Sequence, residues 1–193
     1  MSKVFNNYII STKTMLLLPH FDNYGQLNTI VGEKNDSLIV MKKPREVIED
    51  SLLYYGRGDL KAATLVSRSI LGNIDMPPIT VNDRFGLYWL PTKSPTNDAE
   101  CIWISLHHIL STDAVTPKKT KITFQNQNSI TIQKSLKATK TKVQQASDLK
   151  RLVEMRMYEN TPPNYNNNSS ITKEHKSRYY HYIINKSGTA SIY

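Results

Sequence analysis

Two adjacent histidines, His107 and His108, are the first candidates for chemistry in this sequence. We expect them to lie on a strand, where neighbouring side chains point to opposite faces and cannot converge on one metal ion. A metalloprotease helix would need the pattern His-Glu-x-x-His and a zinc finger would need matched cysteines, but the sequence has neither. The pair therefore favours structural or hydrogen-bonding histidines, and we predict no metal site.

The single cysteine, Cys101, lies in an apolar stretch just before Trp103. His108 could in principle activate its thiolate as a nucleophile, but a buried cysteine more often behaves as a small core hydrophobe. One cysteine forms neither an intramolecular disulfide nor a redox pair, so we expect a reducing compartment.

Two further groups of residues are explained without catalysis. The stretch 56–58, Gly-Arg-Gly, lacks the additional glycines, the lysine and the hydroxyl of a phosphate-binding loop, so we predict a turn. The carboxylates Glu46, Glu49 and Asp50 follow one predicted helix, where solvent exposure and compensation of the helix dipole account for them. We therefore predict no catalytic residue and no cofactor, and expect a protein that is not an enzyme.

Positive charge is concentrated in one part of the chain. The sequence holds 25 basic and 16 acidic residues, a net charge of +9. Residues 118–156 contain ten basic residues and only two acids, whereas residues 1–117 are almost balanced. A solvated helix face also collects charge, but it usually mixes glutamate with lysine. The distribution favours a nucleic-acid surface.

The basic segment combines lysines with small amide side chains. Lysines that contact phosphates give salt-sensitive affinity through counterion release, and amides in a minor groove distinguish A·T-rich from G·C-rich DNA. No helix-turn-helix is evident in the sequence. The candidate DNA-binding residues are Lys118, Lys119, Lys121, Gln125, Asn126, Asn128, Lys134, Lys137, Lys140, Lys142, Lys150 and Arg151.

Apolar runs separated by turn residues predict a β-rich α+β fold, and 193 residues suffice for a single domain with a buried core. A helical period predicts a helix near residues 44–55, and Asp59 is expected to cap a second, shorter helix. The predicted strands before the basic segment are 8–10, 15–18 (halted by Pro19), 27–31, 38–41, 79–81, 87–90 and 101–105.

Alternation of apolar and polar residues predicts a basic β-hairpin near residues 119–133. We expect Lys119, Lys121 and the threonines to face outward or along the edge; the inward side would carry Ile122, Phe124, Ile130 and Ile132. A helical period then predicts a basic amphipathic helix near residues 137–158. Its apolar stripe is expected to pack on the core or to form a dimer seam.

The last part of the chain has a different composition. Residues 161–170 are rich in Pro, Asn and Ser, which is typical of a linker. We therefore predict a DNA-binding domain over residues 1–158, and a flexible linker and C-terminal tail over residues 159–193. An apolar cluster at residues 179–184 could dock as a peptide or form a last strand of the sheet. No apolar run is long enough to cross a membrane, so we expect a cytoplasmic protein.

Several short motifs occur together in an order that resembles the bacterial competence transcription factor family, ComK. The resemblance covers roughly residues 8–158 and leaves the tail outside. The motifs are Met41-Lys42-Lys43-Pro44 with Val47-Ile48, Ser51 and Tyr55-Gly56, then Pro77-Pro78-Ile79 with Val81, Leu90-Pro91-Thr92 with Ser94, and Cys101 with Trp103-Ile104-Ser105 and His108.

The resemblance implies a transcriptional activator of DNA-uptake and recombination genes. It further implies binding to paired A/T-rich boxes of double-stranded DNA chiefly through the minor groove, a homo-oligomer on the DNA, contact with RNA polymerase and association with the nucleoid. It also implies an adaptor that delivers the protein to a Clp protease. In that family the C-terminal part takes part in regulated degradation, so candidate adaptor-docking residues are Tyr179, Tyr180, Tyr182 and Ile183.

Two alternative functions remain at this point. One is a metal-dependent nuclease that uses His107 or His108 with an acid such as Asp113. The other is an interaction module for RNA or an acidic protein, because charge alone does not distinguish DNA from RNA.

Overall fold

The computed structural model describes residues 3–159, 182–184 and 190–192. The chain separates into two compact units, residues 1–160 and residues 161–193. The described part of the first unit contains ten strands in two sheets and three α-helices. This mixed composition confirms the predicted α+β class.

The larger sheet has seven strands. Their order is β1-β4-β3-β2-β7-β6-β5, and every neighbouring pair is antiparallel except β1 with β4. The strands are β1 (Lys3–Phe5), β2 (Thr14–Phe21), β3 (Leu27–Glu33), β4 (Ser37–Val40), β5 (Ile79–Asn82), β6 (Leu87–Pro91) and β7 (Trp103–Ser105).

The smaller sheet contains the predicted hairpin. Its antiparallel strands are β8 (Ile109–Thr116), β9 (Lys119–Phe124) and β10 (Ser129–Ile132), in the order β10-β9-β8. β9 and β10 coincide with the predicted hairpin, whereas β8 was not predicted as a strand. Its presence turns the hairpin into a three-stranded sheet.

Three α-helices complete the fold: α1 (Pro44–Tyr54), α2 (Leu60–Leu71) and α3 (Leu136–Glu159). α1 and α3 lie where the helical periods predicted them. Asp59 caps α2 as expected, since its carboxylate accepts a hydrogen bond of 2.7 Å from the backbone of Ala62. α2 has twelve residues and α1 eleven, so the prediction of a shorter second helix is wrong; no helix-breaking residue occurs before Gly72, where φ is +85°.

Both faces of the larger sheet are buried. On one face Leu17, Trp89 and Trp103 pack with residues of α1 and α2, including Val47, Ile48 and Leu60. On the other face a residue adjacent to each of these in the same strand packs on the smaller sheet and α3. These contacts join Leu16, Leu90 and Ile104 with Ile122, Phe124, Ile132 and Ala146. The larger sheet is therefore the middle layer of the unit.

Three predicted strands differ from the structure. The strand predicted over residues 101–105 begins only at Trp103. Residues 8–10 form no strand, because the backbone of Ile10 is satisfied by α1 and the residue after it: its N–H donates to Ser51 Oγ at 3.0 Å, and its carbonyl accepts from Tyr55 Oη at 2.9 Å. β2 does not stop at Pro19 but continues to Phe21, paired with β3. Beyond Leu17 it has no partner on the β7 side, which is the edge position where proline is tolerated.

The outward placement of the hairpin threonines is wrong for Thr120. Its side chain is buried and donates to the carbonyl of Lys134 at 2.7 Å. The inward placement of Ile122, Phe124 and Ile132 is confirmed by their burial. In the second unit, β11 (Tyr182–Ile184) pairs with β12 (Ala190–Ile192) in a two-stranded sheet of their own rather than with the seven-stranded sheet.

Among the helices of the described residues, none combines the length and apolar character needed to cross a bilayer.

Candidate nucleic-acid interface

β8 and β9 form a two-stranded ribbon with a buried base and an exposed tip. At the base Ile122 and Phe124 are fully buried, whereas every residue from 113 to 119 is exposed. The register pairs Thr116 with Lys119, which leaves Pro117 and Lys118 as a two-residue turn. The base of the ribbon is therefore packed in the core, and its tip projects into solvent.

Three lysines of this ribbon are free to bind anions. Lys118, Lys119 and Lys121 are exposed, and within the described part of the chain their ammonium groups have no hydrogen-bond or ion-pair partner. Lys119 and Lys121 lie on the same face of β9, about 7 Å apart along the strand. Asp113 lies opposite Lys121 in the register and is the one acid of the stretch 109–124, so that stretch carries a net charge of +2.

The amides of the β9–β10 turn lie at the other end of β9, about 17 Å from the tip. Gln125 donates from Nε2 to the carbonyl of His107 at 2.8 Å, and Asn126 donates from Nδ2 to the carbonyl of Lys34 at 2.8 Å. The Asn126 oxygen also accepts from the backbone of Asn128 at 3.1 Å. In the unbound protein these amides hold the turn against the larger sheet, and they are separate from the lysines of the tip.

Two of the candidate lysines are bonded within the protein. Lys134 donates from Nζ to the carbonyl of Thr92 at 2.8 Å, and Lys142 donates to the carbonyls of Asp75 and Met76, the latter at 2.9 Å. Burial lowers the pKa of both ammonium groups. These residues attach the beginning of α3 to loops of the larger sheet, which is a structural role.

The remaining candidates lie along α3. Lys137 and Lys140 are exposed near its beginning, three residues apart and therefore on one face. Lys150 lies 3.9 Å from the carboxylate of Glu154, and Arg151 donates to the sulfur of Met155 at 3.4 Å. Lys150 and Arg151 line a cavity of about 550 Å³ between α3 and β8. Residues 137 and 151 are about 21 Å apart along the helix, so α3 presents two basic regions.

The histidine pair lies on a short 3₁₀ helix, Leu106–His108, so the prediction that it lies on a strand is wrong. His108 is buried and its Nε2 lies 2.8 Å from the carbonyl of Thr12, which confirms a hydrogen-bonding role. Burial lowers the pKa of its imidazole. In the part of the chain that the structure describes, no three His, Cys, Asp or Glu side chains come together as metal ligands.

Cys101 is a core residue. Its thiol is buried and donates to the carbonyl of Lys93 at 3.3 Å. Burial raises the pKa of this thiol to about 11, so the thiolate that a nucleophile requires is disfavoured at neutral pH.

The glycine-flanked Arg57 and the acids of α1 also have structural partners. Gly56 and Gly58 have φ of +70° and +77°, as expected of a turn, and Arg57 forms an ion pair with Asp83. Glu46 accepts a hydrogen bond of 2.8 Å from the backbone of Lys43 at the beginning of α1. In the same helix, Glu49 pairs with Arg45 at 3.0 Å and Asp50 with Lys42 at 2.6 Å.

One protein-family model, described as ComK protein, matches residues 5–158. The chain belongs to the ComK family. Membership of this family implies a competence transcription factor, and members are transcription factors rather than enzymes. No curated protein and no solved structure matches the chain.

The matched residues include the larger sheet from Phe5 onward, the whole three-stranded sheet and nearly all of α3, and they end before the tail. Of the four candidate adaptor-docking residues, Tyr179 and Tyr180 lie outside the described residues, and Tyr182 and Ile183 belong to β11. Adaptor docking by these residues stays a prediction.

The candidate DNA-binding residues predicted from the sequence include neither Val115 nor Pro117, which lie at the ribbon tip. A signal was present, because Thr-Pro-Lys at residues 116–118 separates two stretches of β-prone residues, as a hairpin turn does.

Proposed function

We propose that this chain is a DNA-binding activator of competence genes that recognises paired A/T-rich boxes, chiefly through the minor groove. The observation that carries the proposal is the group of exposed lysines without internal partners on the β8–β9 ribbon and at the beginning of α3: Lys118, Lys119, Lys121, Lys137 and Lys140. Membership of the ComK family supports the regulation of competence genes as the process in which this surface acts.

A minor-groove mode suits this surface for two physical reasons. A/T-rich DNA has a narrow minor groove with enhanced negative potential, which attracts lysine side chains. Lysines alone do not read individual bases, so selection by groove width and potential matches the chemistry that the ribbon offers.

Paired boxes also place two copies of the chain close together, so we propose a homo-oligomer on the DNA. Activation would then require contact with RNA polymerase, in the cytoplasm at the nucleoid. Delivery to a Clp protease by an adaptor that binds the tail is part of the same proposal.

The test is fluorescence-anisotropy binding of the full chain to a duplex with paired A/T-rich boxes, a G·C-rich duplex of the same length and a single-stranded RNA. Each titration is repeated over a salt series. We expect preference for the A/T-box duplex that persists at moderate salt, with stoichiometry above one. Equal, steeply salt-dependent binding to all three probes would refute sequence recognition, and preference for RNA with stacking on aromatic side chains would favour an RNA-binding module.

DNA cleavage provides a second readout in the same samples. A metal-dependent nuclease would cut the duplex on addition of Mg²⁺ or Mn²⁺ and would lose that activity in His108→Ala. We expect the DNA to remain intact.

A further inference from the structure

Two apolar side chains occupy the tip of the lysine-rich ribbon. Val115 is 54% exposed, and Pro117, in the turn, is exposed as well. Neither packs in the two hydrophobic cores of the described unit. Their place amid exposed lysines puts two apolar groups on the surface that faces an anionic partner.

The backbone of β8 is irregular at Val115. Ala114 pairs with Thr120 and Thr116 pairs with Lys119, so Val115 is an extra residue in β8 with no partner of its own on β9. Such a β-bulge redirects a side chain and bends the strand. Pro117 then fixes the turn through its ring, which keeps the tip narrow and stiff.

We propose that Val115 and Pro117 form a wedge that enters the minor groove and inserts between base pairs, which kinks the duplex. The proposal rests on the DNA-binding function proposed above, and it assigns to two residues a role that lysines cannot have. Apolar side chains inserted from the minor groove partly unstack a base step and bend the DNA toward the major groove. Lys118 and Lys119, directly beside the wedge, would hold the phosphates of the opened step.

The cost of unstacking a base step limits which part of the protein can carry the wedge. Unstacking a step costs a few kcal/mol, which the additional phosphate contacts of a bent duplex must offset. A stiff tip with a buried base loses little conformational freedom when it binds, so less of that contact energy is spent on ordering the protein. Phe124 and Ile122, both fully buried, provide that base.

The experiment uses the full chain and A/T-box duplexes that carry 2-aminopurine at successive adenine positions, with donor and acceptor dyes on the two ends. Because the 2-amino group lies in the minor groove, only labelled duplexes that bind with the affinity of the unlabelled duplex are compared. Unstacking raises 2-aminopurine fluorescence, and a kink raises energy transfer between the ends. The test variant is the double substitution Val115→Ala with Pro117→Ala. Val66→Ala is the matched control, because Val66 is also 54% exposed but lies on α2.

We expect the unmodified protein and the Val66→Ala variant to raise both signals. The double variant keeps every lysine and should still bind the duplex, but it should lose both signals, and its salt slope should become shallower because the phosphate contacts that depend on the bend are lost. A second variant, Val115→Thr, keeps the branched shape in the strand and adds a hydroxyl; it should lower the 2-aminopurine signal without changing the circular dichroism spectrum.

The outcomes separate the wedge from the proposed function. If the unmodified protein prefers the A/T-box duplex but leaves both signals at their free-DNA values, the wedge is refuted and the DNA-binding function stands. Signals of unchanged size in the double variant would also refute the wedge. Failure of the unmodified protein to prefer the A/T-box duplex would refute the proposed function as well.

Discussion

Removing the free lysines of β9 should change how DNA binding depends on salt. In the double variant Lys119→Ala with Lys121→Ala, two exposed ammonium groups are lost that have no partner among the described residues. Each phosphate contact on B-DNA contributes about 0.9 to the slope of log affinity against log salt, so the slope should become shallower by about 1.8. If affinities converge at 1 M salt, the loss at 0.1 M is about 60-fold, or about 2.4 kcal/mol.

The assay is fluorescence anisotropy with the A/T-box duplex at five or more salt concentrations. The fold should be unaffected, because both side chains are exposed, and matching circular dichroism spectra verify this. Lys61→Ala is the control, since Lys61 is exposed on α2 and lies outside the proposed interface. A slope in the double variant equal to that of the control would refute the assignment of the ribbon as a phosphate-binding surface.

Three further predictions follow from the same geometry. Asp113→Asn should strengthen DNA binding by no more than about fivefold, because it removes an exposed acid opposite Lys121; a nuclease that uses Asp113 would instead lose cleavage. Lys142→Ala should lower the free energy of unfolding by about 1 kcal/mol in urea denaturation and leave the salt slope of DNA binding unchanged. Lys140→Ala should make the salt slope shallower and leave the free energy of unfolding unchanged. Equal effects of the two variants on both quantities would contradict the division between bonded and free lysines. Burial lowers the pKa of His108, so below the ordinary histidine range the unfolded chain binds more protons than the folded protein, and the free energy of unfolding should fall as the pH drops. His108→Gln should flatten this decline between pH 7.5 and 5 in the same denaturation assay.

Local periodicity was sufficient to predict the elements whose burial alternates. The hairpin strands β9 and β10 have buried Ile122, Phe124 and Ile132 at every second position, and α1 has Val47, Ile48 and Leu52 at helical spacing. In both cases the local sequence and the tertiary contacts favour the same conformation.

The elements that were missed or misassigned depend on pairing or side-chain contacts that their own local pattern of apolar and polar residues does not show. β8 is almost wholly exposed, so its residues show no alternation, and only pairing with β9 makes it a strand. β1 has three exposed residues and pairs in parallel with β4, more than thirty residues further along the chain. Ile10 is apolar and fully buried, but side chains of Ser51 and Tyr55, rather than a neighbouring strand, satisfy its backbone.

The candidate interface was predictable as a region but not residue by residue. Composition located the positive charge in residues 118–156, but it could not separate lysines that face solvent from Lys134 and Lys142, which donate to backbone carbonyls. Nor could it show that the tip lysines and the turn amides lie at opposite ends of one strand. The first distinction depends on tertiary contacts, whereas the second follows from the extended conformation of β9.

The burial of the middle sheet on both faces has a consequence for how the chain is synthesised. Residues up to Ser105 complete the seven strands and the layer of α1 and α2, but the opposite face, with Leu16, Leu90 and Ile104, stays bare until Phe124 and Ala146 have been added. On the ribosome the nascent chain would therefore expose a broad apolar surface until the last third of the unit emerges. The segment proposed to bind DNA is also the one that covers this apolar face. A chain that ends before it would therefore lack the DNA-binding surface and leave the core open at the same time.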